Sequence, residues 1–348
     1  MKTLIHIIPT VENGGAETVL ARLVEEWNNK GIQQYVITTQ GSVSDHHHLA
    51  LSSHCTLIHA QEDQKRPVQC LRAHPEAKIL AWMYKGIRHA YRWRKRAQGQ
   101  QEIIWNIRRS NFSASEGKQQ LGLLLYGALS QWLKARIIFC AHTAQKAHRP
   151  YGFYLSNSAV IGNRLAKKKQ KSSSSDIQRP PSFFLYVGRF NHAKGPDRLL
   201  RLFEHYINAG GDIPLVIAGR GWKDMPLSPS IKDSVLRLGN VSNLDALYSN
   251  ATALLFTSYT EGYPNVVVEA VTQGTPVIGF EAGDSKHILQ GYPYGYTVES
   301  NKSFLTHLNS LVKNPPTTEA RLTEAKKQQQ KFDFSLTLHE YEQFIWND

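Results

Sequence analysis

A chain of 348 residues with 41% hydrophobic content is long enough for two domains of ordinary size and apolar enough to give each a core. Its longest apolar stretch falls short of the ~18–20 residues that span a bilayer, which argues against an integral membrane protein. Three cysteines, Cys55, Cys70 and Cys140, are odd in number and lack metal-ligand spacing, so neither a disulfide framework nor a cysteine-held metal is expected.

The formal charge of +13 is unevenly spread. Residues 1–165 hold 21 Lys+Arg against 10 Asp+Glu, and residues 166–181 hold five against one. Residues 182–348 hold 15 against 17. A basic first half needs an anionic partner. No helix-turn-helix, zinc-finger or RNA-binding signature accompanies the excess, so nucleic acid is not expected. An anionic membrane surface offering a phosphate-linked lipid substrate is.

In chain order, Thr3–Ile8 reads as a strand, Glu12–Glu17 as a glycine turn, Thr18–Asn29 as a helix stopped by Gly31, and Gln34–Thr38 as a second strand. This is a βαβ opening, and Gly14 and Gly15 let the backbone approach a ligand closely. The opening apolar run is too short for a signal peptide and lacks a small-residue cleavage site, and the three cysteines without metal-ligand spacing make a reducing cytoplasm the simplest expectation. Residues 46–48 are three histidines, read as a solvated loop, since consecutive side chains cannot all face one ion. Within 40–75 only a short strand near Thr56–His59 is assigned.

Lys78–Tyr84 is a strand running into an aromatic turn. Residues 88–96 interleave aromatics with basic side chains, as an interfacial helix would, although a solvated helix with its aromatics turned inward fits equally. Glu102–Arg109 is a strand, Leu121–Leu129 fits a buried helix, and Lys134–Ala141 is a strand followed by a helix over Ala144–His148. Residues 166–181, with four lysines, four serines and two prolines, cannot build a core and read as a linker. The domains expected are therefore 1–165 and 182–330, with a final helix over 331–348.

The second half restarts the pattern. Ser182–Val187 is a strand, Gly188–Gly195 a turn carrying Arg189 and Lys194, and Pro196 opens a helix to about Asn208. The spacing lets the two cations converge on one anion, Arg as a fork and Lys as a point charge. Strands follow at Leu215–Gly219 and Ser234–Gly239, then a short helix at Asn243–Asn250. Ala253–Phe256 is a buried strand leading into Glu261 and Gly262 at a turn. Pro264 suits the first position of the next helix, which Gly274 ends. The amides of Asn265 and Val266 at that helix start favour an anion. Glu261 precedes the helix and Glu269 lies four residues after Asn265 on the same face, so a carboxylate brackets the anion position on either side.

The stretch from Tyr259 to Ala270 resembles the most diagnostic block of the retaining family-4 glycosyltransferases of the GT-B fold. Gly188–Gly195 resembles the family's diphosphate-holding Gly-Arg…Lys-Gly signature. Gly14, Gly15 and Glu17 are similar to its Gly-Gly-x-Glu loop, and Glu281–Asp284 to the loop that closes on the donor sugar. Trp82–Arg109 resembles two blocks of bacterial family-4 enzymes that build surface polysaccharides, with Lys85 where the family has a sugar-contacting His. Asn163 precedes Arg164 where the family has Asn-Gly.

The resemblance implies an α/β chain of two Rossmann-like doubly wound domains facing across a cleft, the last helix crossing back to the first. It implies sugar transfer with retention from a nucleoside diphosphate sugar, a UDP-sugar favoured, to a lipid-linked or oligosaccharide acceptor in surface polysaccharide, at the inner face of the cell membrane. No metal or cofactor is implied. Gly14, Gly15, Gly188, Gly262, Asn265 and Val266 would line the donor phosphates. Arg189 and Lys194 would hold the diphosphate, Glu261 the donor sugar, and Glu269 the ribose. A nucleotide-sugar epimerase of the same fold, or a binding protein without catalysis, are the alternatives.

Overall fold

The computed structural model describes residues 2–11, 15–40, 51, 53–110, 117–164, 179–241 and 243–347. The three histidines and most of the basic linker lie outside these residues. The chain separates into two compact units, Met1–Asn163 with Ser335–Asp348, and Arg164–Phe334.

The first unit carries β1 (Thr3–Ile8), α1 (Gly15–Asn29), β2 (Gln33–Thr38), β3 (Thr56–His59), α2 (Arg66–Ala73), β4 (Lys78–Trp82) and α3 (Met83–Ala97). It continues through β5 (Ile103–Ile107), α4 (Gly117–Trp132), β6 (Arg136–Phe139), α5 (His142–His148) and β7 (Ser158–Val160). The strands form one seven-stranded parallel sheet in the order β3-β2-β1-β4-β5-β6-β7. They read as near-continuous apolar runs because helices cover both faces of a parallel sheet. The order reverses after β3, so right-handed crossovers place α1 on one face and α3 and α4 together on the other.

The second unit carries β8 (Phe184–Val187), α6 (Pro196–Asn208), β9 (Leu215–Ala218), β10 (Val235–Gly239), α7 (Asp245–Asn250), β11 (Ala253–Phe256) and α8 (Asn265–Thr272). Then come β12 (Val277–Phe280), α9 (Ser285–Leu289), β13 (Gly295–Val298), α10 (Asn301–Lys313) and α11 (Thr318–Lys331). Its sheet is parallel, six-stranded and ordered β10-β9-β8-β11-β12-β13. Leu185, Leu254 and Val277 pack with Val267, Val268 and Val271 of α8 on one face. Phe184, Ile217 and Ile278 pack with Leu199, Phe203 and Phe304 on the other.

The final helix, α12 (Phe334–Trp346), belongs to the first unit. Buried Tyr341 accepts from Asn106 and Arg108 at 3.0 Å each, and the Trp27 indole donates to Glu342 at 3.1 Å. Arg108 also donates to Asn163, so one of the two arginines at the end of β5 is a structural clasp.

One expectation needs correction, and one open choice is decided. α4 is a helix but not a buried one: Leu123 faces the core, whereas Leu121, Leu124 and Leu125 are exposed. On α3 the inward stripe is Ile87, Ala90, Trp93 and Ala97, and Tyr91 accepts from the Trp105 indole at 3.2 Å. Trp93 and Tyr91 of the basic helix therefore turn towards the sheet, and its exposed side is made of charges.

Candidate functional site

The described candidates other than Gly15 lie in the second unit, at the carboxyl ends of β8 and β11. These strands are neighbours although β9 and β10 separate them in sequence. The chain winds outward in one direction from β8 and in the other from β11, and such a switch point opens a crevice at the strand ends.

The loop after β8 is pinned against the loop after β11. Tyr259 and Thr260 donate their amides to Ala193 O at 2.9 and 3.2 Å. Thr257 donates its hydroxyl to Gly195 O at 3.0 Å, and Tyr186 donates to Lys194 O at 3.0 Å. Gly195 has φ +62°, and a Cβ there would lie 2.0 Å from Thr257 O. Only glycine meets both the left-handed backbone and the close approach. The loop then enters α6 at Pro196, whose fixed φ suits a first helical position.

This clasp brings Lys194 and Glu261 together. Lys194 Nζ lies 2.6 Å from Glu261 Oε1, with side chains 29% and 11% exposed. Ser258 donates to the same oxygen at 2.8 Å. Lys194, expected to face an anion, is here paired with a carboxylate. Arg189 is exposed on the loop beyond β8 and, among the described residues, makes no ion pair. Gly188 beside it is fixed by its amide on Ala218 O at 2.9 Å and by the Trp222 indole donating to its carbonyl at 2.8 Å.

α8 begins one residue later than the sequence suggests. Pro264 is its cap, with ψ 92°, and accepts from Val267 at 3.0 Å. Proline tolerates this because the cap residue needs no helical ψ and lends only its carbonyl. Asn265 and Val266 form the first turn, half-buried, at the positive end of the helix dipole. One turn on, Glu269 Oε2 accepts from the Tyr248 hydroxyl at 2.8 Å. Tyr248 is fully buried, and burial together with the Glu269 charge raises its phenol well above the ordinary range. It is a neutral donor aimed at a carboxylate.

The loop after β12 closes the arrangement. Gly283 has φ +57°, and a Cβ there would meet Gly262 O at 2.3 Å. The Asp284 amide donates to Gly262 O at 3.0 Å. Gly262 is therefore gripped from behind while Glu261 faces Lys194.

In the first unit, Gly15 opens α1 beyond the end of β1, and Gly14 lies outside the described residues. Lys85 is exposed on α3. His89, one turn on, packs its ring 4.9 Å from Trp93 rather than facing outward. Tyr248 and Ser258, which donate to Glu269 and Glu261, carry no sequence signal, since each meets its partner only in the fold. Among the described residues, no group of three His, Cys, Asp or Glu side chains is placed to hold a metal ion.

Residues 167–329 match the family model described as glycosyl transferases group 1. That segment belongs to the group 1 glycosyltransferases. The fold of the chain is GT-B. HepE from Anabaena, solved in complex with UDP and glucose, superposes with a TM-score of 0.79 at 17% identity, over 99% of each chain. The amylovoran biosynthesis glycosyltransferase AmsD of Erwinia amylovora is 26% identical over 50% of this chain and 54% of its own. A Campylobacter jejuni α-1,4-N-acetyl-D-galactosaminyltransferase, named for an acceptor on PP-undecaprenol, is 34% identical over 25% of each chain. The chain thus spans about half or less of the length of these curated relatives. The clasped Lys194, Glu261 and α8 lie inside the group 1 segment, and the basic α3 lies before it.

Proposed function

We propose that this protein is a retaining glycosyltransferase. It moves a hexose or N-acetylhexosamine from a nucleoside diphosphate sugar, a UDP-sugar favoured, to a lipid-linked or oligosaccharide acceptor of a surface polysaccharide. The observation that carries the reading is the convergence of Lys194, Glu261 and the α8 amino end at the β8/β11 switch point. An anion there meets the helix dipole and the Lys194 cation, with Arg189 on the same loop and a carboxylate on either side for hydroxyl groups.

Arg189 and Lys194 neutralise the leaving diphosphate, so that charge developing on the departing phosphate is met by side-chain cations and backbone amides. Glu261 accepts from hydroxyls of the donor sugar, and Glu269, oriented by Tyr248, accepts from the ribose. UDP is favoured because HepE, of the same fold, was solved with it. A lipid-linked acceptor is supported by the basic first unit and by the acceptor in the Campylobacter relative's name. The enzyme works at the inner membrane face, and among the described residues no helix is long and apolar enough to cross a membrane.

The reading is tested by incubating the protein with a panel of nucleotide sugars and lipid extract, followed by mass spectrometry of the products. A glycosylated acceptor is expected, at an undiminished rate in EDTA because the cations are supplied by side chains. Conversion of a nucleotide sugar with no acceptor present, or a rate restored only by Mg²⁺ or Mn²⁺, would contradict it.

A second expectation concerns Tyr248→Phe. It removes one hydrogen bond to a charged group, worth about 1.5–3 kcal/mol in full. Because Tyr248 acts through Glu269, a loss of UDP affinity near the lower end, about tenfold, is expected by calorimetry. Unchanged affinity would remove Tyr248 from the site.

A further inference from the structure

The described part of α4 carries an apolar face with no covering element among the described residues. Leu121, Leu124, Leu125 and Trp132 are 62%, 50%, 67% and 81% exposed. Their spacing of three, one and seven residues puts them on one side of the helix, with Ala128 between. Leu123, Gly127 and Ser130 line the opposite, buried side. Isolated exposed leucines are ordinary, but four large apolar side chains in a row on one helix mark an interaction surface.

The neighbouring helix supplies the charge. α3 and α4 lie on one face of the sheet and share Trp105, whose ring packs edge-on against Tyr91 of α3 and Tyr126 of α4 at 6.3 and 6.0 Å. Tyr126 also donates to Tyr84 O at 2.9 Å. The outward side of α3 carries Lys85, Arg88, Arg92, Lys95 and Arg96, all exposed and stepping at three- and four-residue intervals. Neither helix has an acidic residue. Between residues 77 and 163 the acids are Glu102 and Glu116. Glu102 is bound to Lys78 and Arg136 at 2.9 and 3.0 Å, and Glu116 lies outside the described residues.

We infer that α3 and α4 together form a docking surface for an anionic lipid bilayer, with the basic ridge of α3 on the headgroups and Leu121, Leu124, Leu125 and Trp132 of α4 inserted among the acyl chains. Charge complementarity selects this occupant. A leucine row beside five cations that make no ion pair among the described residues suits a surface that is anionic at its boundary and apolar beneath. A second copy would bring the same five cations against each other. The proposal rests on the membrane part of the functional reading and places the apolar insertion on the α4 row, since Tyr91 and Trp93 of α3 turn towards the sheet. Vesicle binding is read without donor or acceptor, so its failure and the failure of the transferase reading are separate results.

The test is co-sedimentation with phosphatidylglycerol/phosphatidylcholine vesicles and with phosphatidylcholine alone. Binding to the anionic vesicles, lost at high salt, is expected. Leu121→Ser with Leu125→Ser should weaken it by about tenfold or more, because two inserted apolar side chains are lost. Arg92→Ser, Lys95→Ser and Arg96→Ser together should weaken it about a hundredfold at low salt. Arg94 is left in place because it holds Gln101 O at 2.9 Å. The wild-type chain adds an arm independent of folding defects: brominated lipids should quench a fluorescence component that disappears in Trp132→Phe. Three results would overturn the proposal. These are equal binding to neutral vesicles, full binding by the leucine variant, or a leucine variant that only turns a self-associated chain into a monomer.

Discussion

Replacing Glu261 with Gln is expected to lower sugar transfer by about a hundredfold or more while the protein still folds. The carboxylate sits 2.6 Å from Lys194 Nζ and receives the Ser258 hydroxyl. Gln keeps the shape and can still accept from Ser258, so the loop after β11 retains its path. What disappears is the charge that a donor-sugar hydroxyl would meet. Losing a charge-directed interaction that strengthens in the transition state costs about 2.7–4 kcal/mol in comparable sites. Lys194 is then left without its carboxylate. Because both side chains are partly solvated, the stability cost should be about 1–2 kcal/mol, well below the loss for a fully buried pair. Steady-state kinetics on the variant should show the fall mainly in kcat, with a melting temperature a few degrees lower. A double-mutant cycle with Lys194→Met separates the pair's mutual coupling from each partner's role. Full transfer by Glu261→Gln would remove the residue from the reaction, and a collapse in melting temperature would make it a structural one.

Acid is expected to destabilise the first unit through His6 and His148, by a comparable amount. Both side chains are fully buried, and burial holds each imidazole down to about pKa 4. Hydrogen bonds to Gln34 and Ala144 oppose this shift without cancelling it, and the Arg109 charge adds to it at His148. The geometry fixes the neutral forms. At His148, Nδ1 faces Ala144 O at 2.6 Å and donates, so Nε2 accepts from the Tyr84 hydroxyl. At His6, Nδ1 accepts from the Trp82 indole at 3.3 Å, and Nε2 faces Gln34 Oε1 at 3.3 Å. A second proton on either ring would point at a donor. A base whose folded pKa is depressed gives stability that is complete above its unfolded value, ~6.5, and is lost as pH falls towards the folded value. Each histidine should therefore cost about 3 kcal/mol between pH 6.5 and 4. Melting temperature against pH should fall steeply across that window, and His148→Gln should flatten part of the slope. A flat profile would mean that neither ring is held neutral by the fold.

Much of the architecture could be read from the chain because parallel strands are continuous apolar runs and their helices end at glycines. Ala253–Phe256, the break at Glu261 and Gly262, and the stop at Gly274 all follow from local chemistry. Pro264 stands one position before the first helical residue that its chemistry suggests, since proline serves as a cap as readily. The pairing of Lys194 with Glu261 was not legible. It depends on β8 and β11 being neighbours, which no local pattern between residues 194 and 261 encodes. Tyr248 was hidden for the same reason: a tyrosine in a short helix gains its role only when β11 and α8 fold over it. On α3 the stripe of Ile87, Ala90, Trp93 and Ala97 is present in the spacing, yet the density of arginine around it leaves an interfacial and a solvated helix equally compatible with the sequence. On α4 the leucines looked like core because composition does not say which side of a helix has a neighbour.

The most direct measurement is calorimetric titration of UDP into the wild-type protein, Lys194→Ala and Glu269→Ala. The account predicts binding to the wild type and affinity roughly ten- to a hundredfold weaker in each variant, since each loses a charge-assisted contact at the β8/β11 switch point. No UDP binding to the wild type, or equal affinity in all three proteins, would contradict it.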